Sequence, residues 1–217
     1  MKQYPVNLNL GGKKCVVVGG GRVAERKVLG LLECRADVNV ISLQLVPALK
    51  ELSDKRVIKY IKRAYKPGDV RGAYLAVAST NSRKVNRQIG EEARRLGILV
   101  NVVSAPGLSD FTVPGVLRRG EFMLTVSTSG KSPALSRRLS VELENAFGEE
   151  YEAFTEILGR IRKKFRDISA EKRKHIYTQV AMSSIPRLLR EKRVKKAEME
   201  FKRITGLDFN EIKLPLK

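Results

Sequence analysis

The chain has 217 residues, of which 42% are hydrophobic; that suffices for one or two domains with a real core and excludes wholesale disorder. Its net charge of +20 is not confined to a tail, since residues 1–150 hold 25 basic and 14 acidic residues (+11) and residues 151–217 hold 18 and 9 (+9). Such a field favours a polyanionic partner, but 6% aromatics, no Trp and no nucleic-acid-binding motif argue against nucleic acid and leave a small substrate rich in carboxylates.

In chain order, KCVVV (14–18) predicts a short buried strand. Ala24, Val28, Leu31 and Leu32 then mark one face of a helix over 23–34. VNVI (38–41) is a second strand, Pro47 to Leu52 a short helix, and VIKYI (57–61) a third strand. Pro67-Gly68-Asp69 is a turn, and YLAVA (74–78) a fourth strand. Val85, Ile89, Ala93 and Leu96 predict a helix closed by Gly97, followed by LVNVV (99–103) as a fifth strand. Strands alternating with helices imply a mostly parallel sheet with right-handed crossovers. The pattern changes after Ser104: SAPGLSDFTVPG reads as loop, FMLTVS (122–127) as strand, and TSGKSP (128–133) as a loop entering a helix over 134–147. From residue 150 only helical patterns remain, with an apolar stripe at Phe154, Ile157, Leu158, Ile161 and Phe165, then helices over 170–182 and 185–204.

Two cysteines, Cys15 and Cys34, form no disulfide framework and fit a reducing cytoplasm. MKQYPVNLNL lacks the apolar core of a signal peptide, and no apolar run approaches the ~18 residues of a membrane span. The expected location is cytoplasmic.

The chemistry-bearing stretch is VVVGGGRVAERK (16–27), in which Gly19, Gly21 and Ala24 match G-x-G-x-x-G/A. Gly19 permits the tight turn after a strand, Gly21 lets backbone approach a pyrophosphate, and Ala24 lets helix and strand pack closely. The helix N-terminus offers unpaired N–H groups and a positive dipole end to phosphate. The acid expected to end the second strand and hold a ribose is missing: the sequence there is VNVISLQL, with Ser42, Leu43 and Gln44 at the strand end and no obvious Arg in the acid's place. NAD is favoured on this reading, with NADP left open.

Three blocks, YPVNLNLGGKKCVVVGGGRVAERKVLGLL, LAVASTNSRKVNRQI and VNVVSAPGLSDFTVPGVLRRGEFMLTVSTSGKSPALSRRL, resemble precorrin-2 dehydrogenase, the module that also begins siroheme synthases, where it is often joined to sirohydrochlorin ferrochelatase activity. The likeness is detailed over residues 1–150 and loose in the helical tail. It implies an α/β fold: a Rossmann-like parallel sheet (residues 1–111, NAD-binding), a small dimerisation and substrate region (112–149), and a helical C-terminal domain (150–217). It implies NAD-dependent oxidation of precorrin-2 to sirohydrochlorin by a homodimer, with ferrous iron entering only as the substrate of a second activity. The implied cofactor positions are Gly19, Gly21, Arg22 and Val23, then Leu43 and Gln44, then Ser79, Thr80 and Asn81. The substrate is a tetrapyrrole with eight carboxylates, which asks for several cations, preferably Arg. Arg118, Arg119, Lys131, Arg137 and Arg138 flank the hydroxyl-bearing loop of Ser127, Thr128, Ser129 and Ser132, and together they form the candidate substrate site.

The chain departs from the family at Ser104. Bifunctional members carry an aspartate there, proposed as general base, whereas a serine without an activating partner is no base at neutral pH. Either oxidation does without that base, because the cofactor carries the difficult chemistry, or Asp110 in the same loop does the work. Metal insertion is more exposed to the change, and with one histidine (His175) and no Cys cluster the chain shows no resident metal site. The rival readings are a regulatory NAD-binding module without catalysis, and a nucleic-acid-binding protein.

Overall fold

A computed structural model describes residues 3–213, which form two compact units that divide between Val113 and Pro114. In the first unit, β1 (Lys14–Val18) is the central strand of a five-stranded, all-parallel sheet that also holds β2 (Asp37–Ser42), β3 (Lys59–Lys62), β4 (Leu75–Ala78) and β5 (Leu99–Val102), in the order β3-β2-β1-β4-β5. A parallel sheet covered on both faces needs near-continuous apolar strands, and Cys15–Val18 and Leu75–Ala78 are buried without interruption.

Strand alternation sends successive side chains into two cores. Cys15 and Val17 pack with Ala24, Val28 and Leu31 of α1 (Arg22–Glu33) and Leu49 of α2 (Pro47–Asp54). Val16 and Val18 pack with Ile89 and Ala93 of α3 (Arg83–Arg95). Burial pushes the Cys15 thiol up to about 11, so it behaves as a packing residue. The β3–β4 crossover carries no helix, because Pro67, Gly68 (φ +99°) and Gly72 (φ +71°) hold residues 67–72 in turns. The chain leaves β1 toward β2 and later returns to β4 on its other side. The sheet therefore has its topological switch point between β1 and β4, where a doubly wound fold opens a crevice at the strands' carboxyl ends.

The second unit begins with an antiparallel hairpin, β6 (Gly115–Arg119) and β7 (Phe122–Val126), paired from Gly115↔Val126 to Arg119↔Phe122. The sequence pattern predicts a strand over 122–127 and none over 115–119. GVLRR buries only Leu117 and owes its strand to pairing with FMLTV across a tight turn at Gly120 (φ +54°). Among the described residues five α-helices follow: α4 (Pro133–Ala146), α5 (Glu150–Lys164), α6 (Ala170–Ala181), α7 (Ile185–Arg190) and α8 (Val194–Thr205). The single helix expected over 185–204 is two, because Lys192 takes a left-handed conformation (φ +56°) that ends α7.

The chain splits after Val113, and the hairpin, α4 and the later helices lie in one compact unit. The hairpin and the helices share aromatic packing: Phe122, Phe147, Tyr151 and Phe154 follow one another at centroid distances of 5.0–6.3 Å. Arg190 ties the joint, donating to the Ala146 carbonyl at 2.7 Å and pairing with the Glu150 carboxylate at 2.6 Å. The remaining core is Ile157, Ile161, Val180, Ile185, Leu188, Ala197, Phe201 and Phe209. No described helix is long and apolar enough to cross a membrane.

Candidate dinucleotide site

The glycine loop connects β1 to α1 and meets the ends of two neighbouring strands. Gly19 has φ +126°, and a Cβ there would lie 2.5 Å from the Ser79 carbonyl oxygen that follows β4. At Gly20 a Cβ would lie 2.0 Å from the Gln44 carbonyl oxygen that follows β2. Backbone bonds lace the same approach: the Gly19 N–H donates to Ile41 O and the Val46 N–H to Gly20 O, both at 2.9 Å, while Ser42 Oγ donates to Gln44 O at 2.8 Å. Gly20 was missed in the sequence because the motif treats it as a free position; the triple-glycine run was its only signal.

Gly21 is different. Its φ of −85° suits any residue, and a Cβ would meet nothing within 4 Å. It caps α1 without a side-chain hydrogen bond, so the helix's first N–H groups face a space that no protein atom fills. A cavity of about 690 Å³ opens there, lined by the glycine loop, Ser42–Val46, Arg63–Tyr65 and Ser79–Ser82. An open cradle of backbone N–H groups at a helix N-terminus fits a pyrophosphate.

Of the expected cofactor residues, Gly19, Gly21, Ser42, Leu43, Gln44, Ser79, Thr80 and Asn81 all line this cavity. Arg22 and Val23 do not; they start α1 with exposed side chains. Ala24 is fully buried under the helix. The expectation that no arginine stands near the missing acid needs correction, because Arg63, at the end of β3, lines the cavity. Lys62 pairs with Ser42 across the sheet, so Arg63 stands beside the end of β2 while lying about twenty residues further along the chain. Tyr65 lines the cavity too. Burial and the Glu92 carboxylate push its phenol far above its ordinary range, so it is a neutral donor to Glu92, which also accepts the Gly68 N–H at 2.7 Å.

Ser104 follows β5, exposed and outside the cavity lining. Its Oγ accepts a hydrogen bond from Asn86 Nδ2 at 2.9 Å. Asn86 is 1% exposed and also holds the Thr80 loop: its Oδ1 accepts from Thr80 N (3.0 Å) and Oγ1 (2.7 Å), and its Nδ2 donates to Thr80 O (2.9 Å). Asn86 was another residue missed; a polar side chain on the face carrying Ile89 and Ala93 was the available signal. Asp110 spends its carboxylate differently, accepting the Val100 N–H at 3.0 Å and lying 3.6 Å from Arg94.

In the second unit the expected substrate residues occupy the hairpin and the start of α4. Thr128 and Ser132 are engaged locally: Thr128 Oγ1 accepts the Ser132 N–H and contacts Ser136 Oγ, both at 3.1 Å, and Ser132 Oγ caps α4 through Leu135 N at 3.2 Å. Ser129 takes φ +52° and donates its N–H to Ser127 Oγ. Arg138 pairs with Glu142 at 2.7 Å and Arg119 with Glu149 at 3.2 Å. Among the described residues, exposed Arg118, Lys131 and Arg137 form no ion pair, although Arg118 reaches Met123 Sδ at 3.2 Å.

Comparisons with known proteins bear on the same residues. Residues 6–115 match a family described as "Putative NAD(P)-binding". The siroheme synthase of Nitrosococcus oceani is 34% identical over 166 residues, covering 76% of this chain and 36% of the relative. That of Nitrosomonas europaea is 37% identical over 171 residues, covering 76% and 35%. The chain thus spans about a third of the length of these curated relatives. Among solved structures, "SirC, precorrin-2 dehydrogenase" superposes with a TM-score of 0.76 at 24% identity, covering 94% of this chain and all of that one, a likeness of fold. The chain therefore belongs to this NAD(P)-binding family.

Proposed function

We propose that the chain binds NAD in the cavity above β1 and oxidises precorrin-2 to sirohydrochlorin. The observation that carries the reading is the cradle at Gly21, open to a ligand beside two glycines closed against the protein. The substrate comes from the relatives, which are named siroheme synthases, and from the fold neighbour's name.

The chemistry NAD supplies when bound is acceptance of a hydride from the tetrapyrrole, which leaves one proton to be released. The chain's part is positioning. Asn86 ties the Thr80 loop to Ser104, and because it donates to Ser104 Oγ, the serine's own hydrogen is turned outward. Ser104 then serves as a hydrogen-bond donor to substrate, and the released proton goes to water. Asp110 is not the base on this reading, since its carboxylate is committed to Val100 N–H and faces Arg94. Arg118, Lys131 and Arg137 supply the second unit's cations for substrate carboxylates. Arg119, Arg138, Thr128, Ser129 and Ser132 hold the loop and strand that present them.

We further propose a homodimer formed through the second unit. Its two-stranded sheet ends in open edges, α4 buries no residue, and Val116, Leu135 and Val141 are 45–51% exposed. The proposal is restricted to oxidation, because iron insertion must remove two pyrrole protons and Ser104 stands where the resemblance implies an aspartate in bifunctional members. The test mixes the purified chain, precorrin-2 and NAD anaerobically and follows NADH and sirohydrochlorin absorbance. NAD-dependent conversion supports the enzyme; NAD binding without conversion overturns it in favour of a regulatory module.

A further inference from the structure

We propose that Asp69 decides which dinucleotide the cavity accepts, by holding Arg63 in a two-pronged ion pair so that no unpaired cation faces the adenosine ribose. The inference rests on the dinucleotide reading above and adds the basis of its selectivity.

In a chain of net charge +20, the cavity lining contains one charged side chain, Arg63. It sits where cofactor choice is made in this kind of fold: Lys62 pairs with Ser42, so Arg63 lies beside Leu43 and Gln44, at the strand end that faces the ribose 2′ position. An arginine there normally receives the 2′-phosphate of NADP. Arg63 is already engaged. Its Nη1 donates to Asp69 Oδ2 and its Nη2 to Oδ1, each at 2.7 Å, and Nη1 also reaches Ala64 O at 3.0 Å. Asp69 is itself held, with its side chain 10% exposed and Oδ2 accepting the Lys66 N–H at 2.7 Å. The turn at Pro67-Gly68 presents Asp69 to Arg63, and Glu92 clamps that turn from the other side through Gly68 N–H.

A fork matched to one carboxylate cannot make the same bidentate contact with a phosphate, and the carboxylate repels a second anion. The pair therefore presents a neutral surface to the ribose. An uncharged 2′-hydroxyl is tolerated and a 2′-phosphate is not. This explains how the site favours NAD although no acid ends β2. Lys62 and Lys66 are exposed and lie outside the cavity lining.

The experiment titrates the full chain with NAD and with NADP by calorimetry. The unmodified chain should bind NAD at least ~10-fold more tightly, a difference of about 1.4 kcal/mol. Asp69→Asn should free Arg63 and raise NADP affinity at least ~10-fold relative to NAD, and Arg63→Gln added to it should abolish the gain. Arg63→Gln alone leaves the Asp69 carboxylate unneutralised and should lower NADP affinity relative to NAD, a readout that survives even if Asp69→Asn does not fold. The inference is overturned if the unmodified chain prefers NADP, if Asp69→Asn leaves the ratio unmoved, or if Arg63→Gln raises NADP affinity relative to NAD. Failure of the unmodified chain to bind either dinucleotide would overturn the cofactor reading itself, whereas NAD binding with an unmoved ratio overturns only the role of Asp69.

Discussion

Two loops in this chain lead from a strand into a helix, and they treat the helix end in opposite ways. Gly19-Gly20-Gly21 enters α1 with no side-chain cap and with open space beside Gly21. Thr128–Ser132 enters α4 with its N-terminus satisfied, Ser132 capping Leu135 and Thr128 binding Ser132 and Ser136. Both read in sequence as anion-receptive turns. Only the first leaves its N–H groups for a ligand; in the second, the hydroxyls hold the turn, and the flanking cations are what remain for an anion. An anion site at a helix end depends on what the protein leaves unsatisfied there.

The sharpest way to break the comparison is inside the glycine run. Gly20→Ala should cost ~3 kcal/mol or more, because its Cβ meets a backbone carbonyl that hydrogen-bonded neighbours hold in place. Thermal unfolding should fall by roughly 6–12 °C for a chain of this size. Gly21→Ala should cost less than ~1 kcal/mol of stability, the difference between Gly and Ala at an N-cap. It should nevertheless weaken dinucleotide binding at least ~10-fold, because its methyl enters the space the pyrophosphate needs. Equal losses of stability in both variants would mean that the loop is simply a packed turn.

Next in size is Asn86→Ala. It leaves the half-buried Thr80 N–H and carbonyl without their partner, at a cost of ~1–3 kcal/mol. If Ser104 is oriented through Asn86, turnover should fall further than dinucleotide affinity. A fall in affinity alone would confine Asn86 to the cofactor loop.

How far the sequence reveals this site depends on how local each constraint is. The strand–glycine–helix unit is contiguous, so its apolar run and motif name it directly, and five parallel strands follow from their own short apolar segments. Arg63 belongs to the same cavity but only through the register Lys62↔Ser42, which no local pattern encodes. Strand β6 is illegible for a related reason: GVLRR has neither alternation nor bulk and is a strand only because FMLTV pairs with it. The break between α7 and α8 turns on one left-handed lysine inside a continuous helical pattern. Thr128 and Ser132 were recognised as hydroxyls, but whether a hydroxyl binds a ligand or caps its own helix depends on geometry.

On the other side of the comparison, Ser132→Ala should cost ~1 kcal/mol, the usual value of an N-cap, and shift the unfolding of the second unit without touching NAD affinity in the first. A loss of tetrapyrrole binding larger than this cost would show that the hydroxyl also meets substrate.

The smallest expected effect is a pH dependence within the second unit. Glu150 is pulled in two directions: burial raises its carboxyl pKa, but the hydrogen bond from Arg190 and backbone N–H groups outweigh burial and hold it below the ordinary 4.5. A carboxylate whose folded value is depressed contributes stability that is complete above its unfolded value and is lost as pH falls through the folded one. Glu150→Gln should therefore melt slightly below the unmodified chain at pH 7, and the gap should close in acid, below the ordinary carboxylate range. Arg190 is well exposed, and solvent screening keeps the effect modest. Melting curves of the two proteins across that range decide the matter: a gap that persists in acid would assign the loss to packing between α4 and α5 instead of to the Arg190 pair.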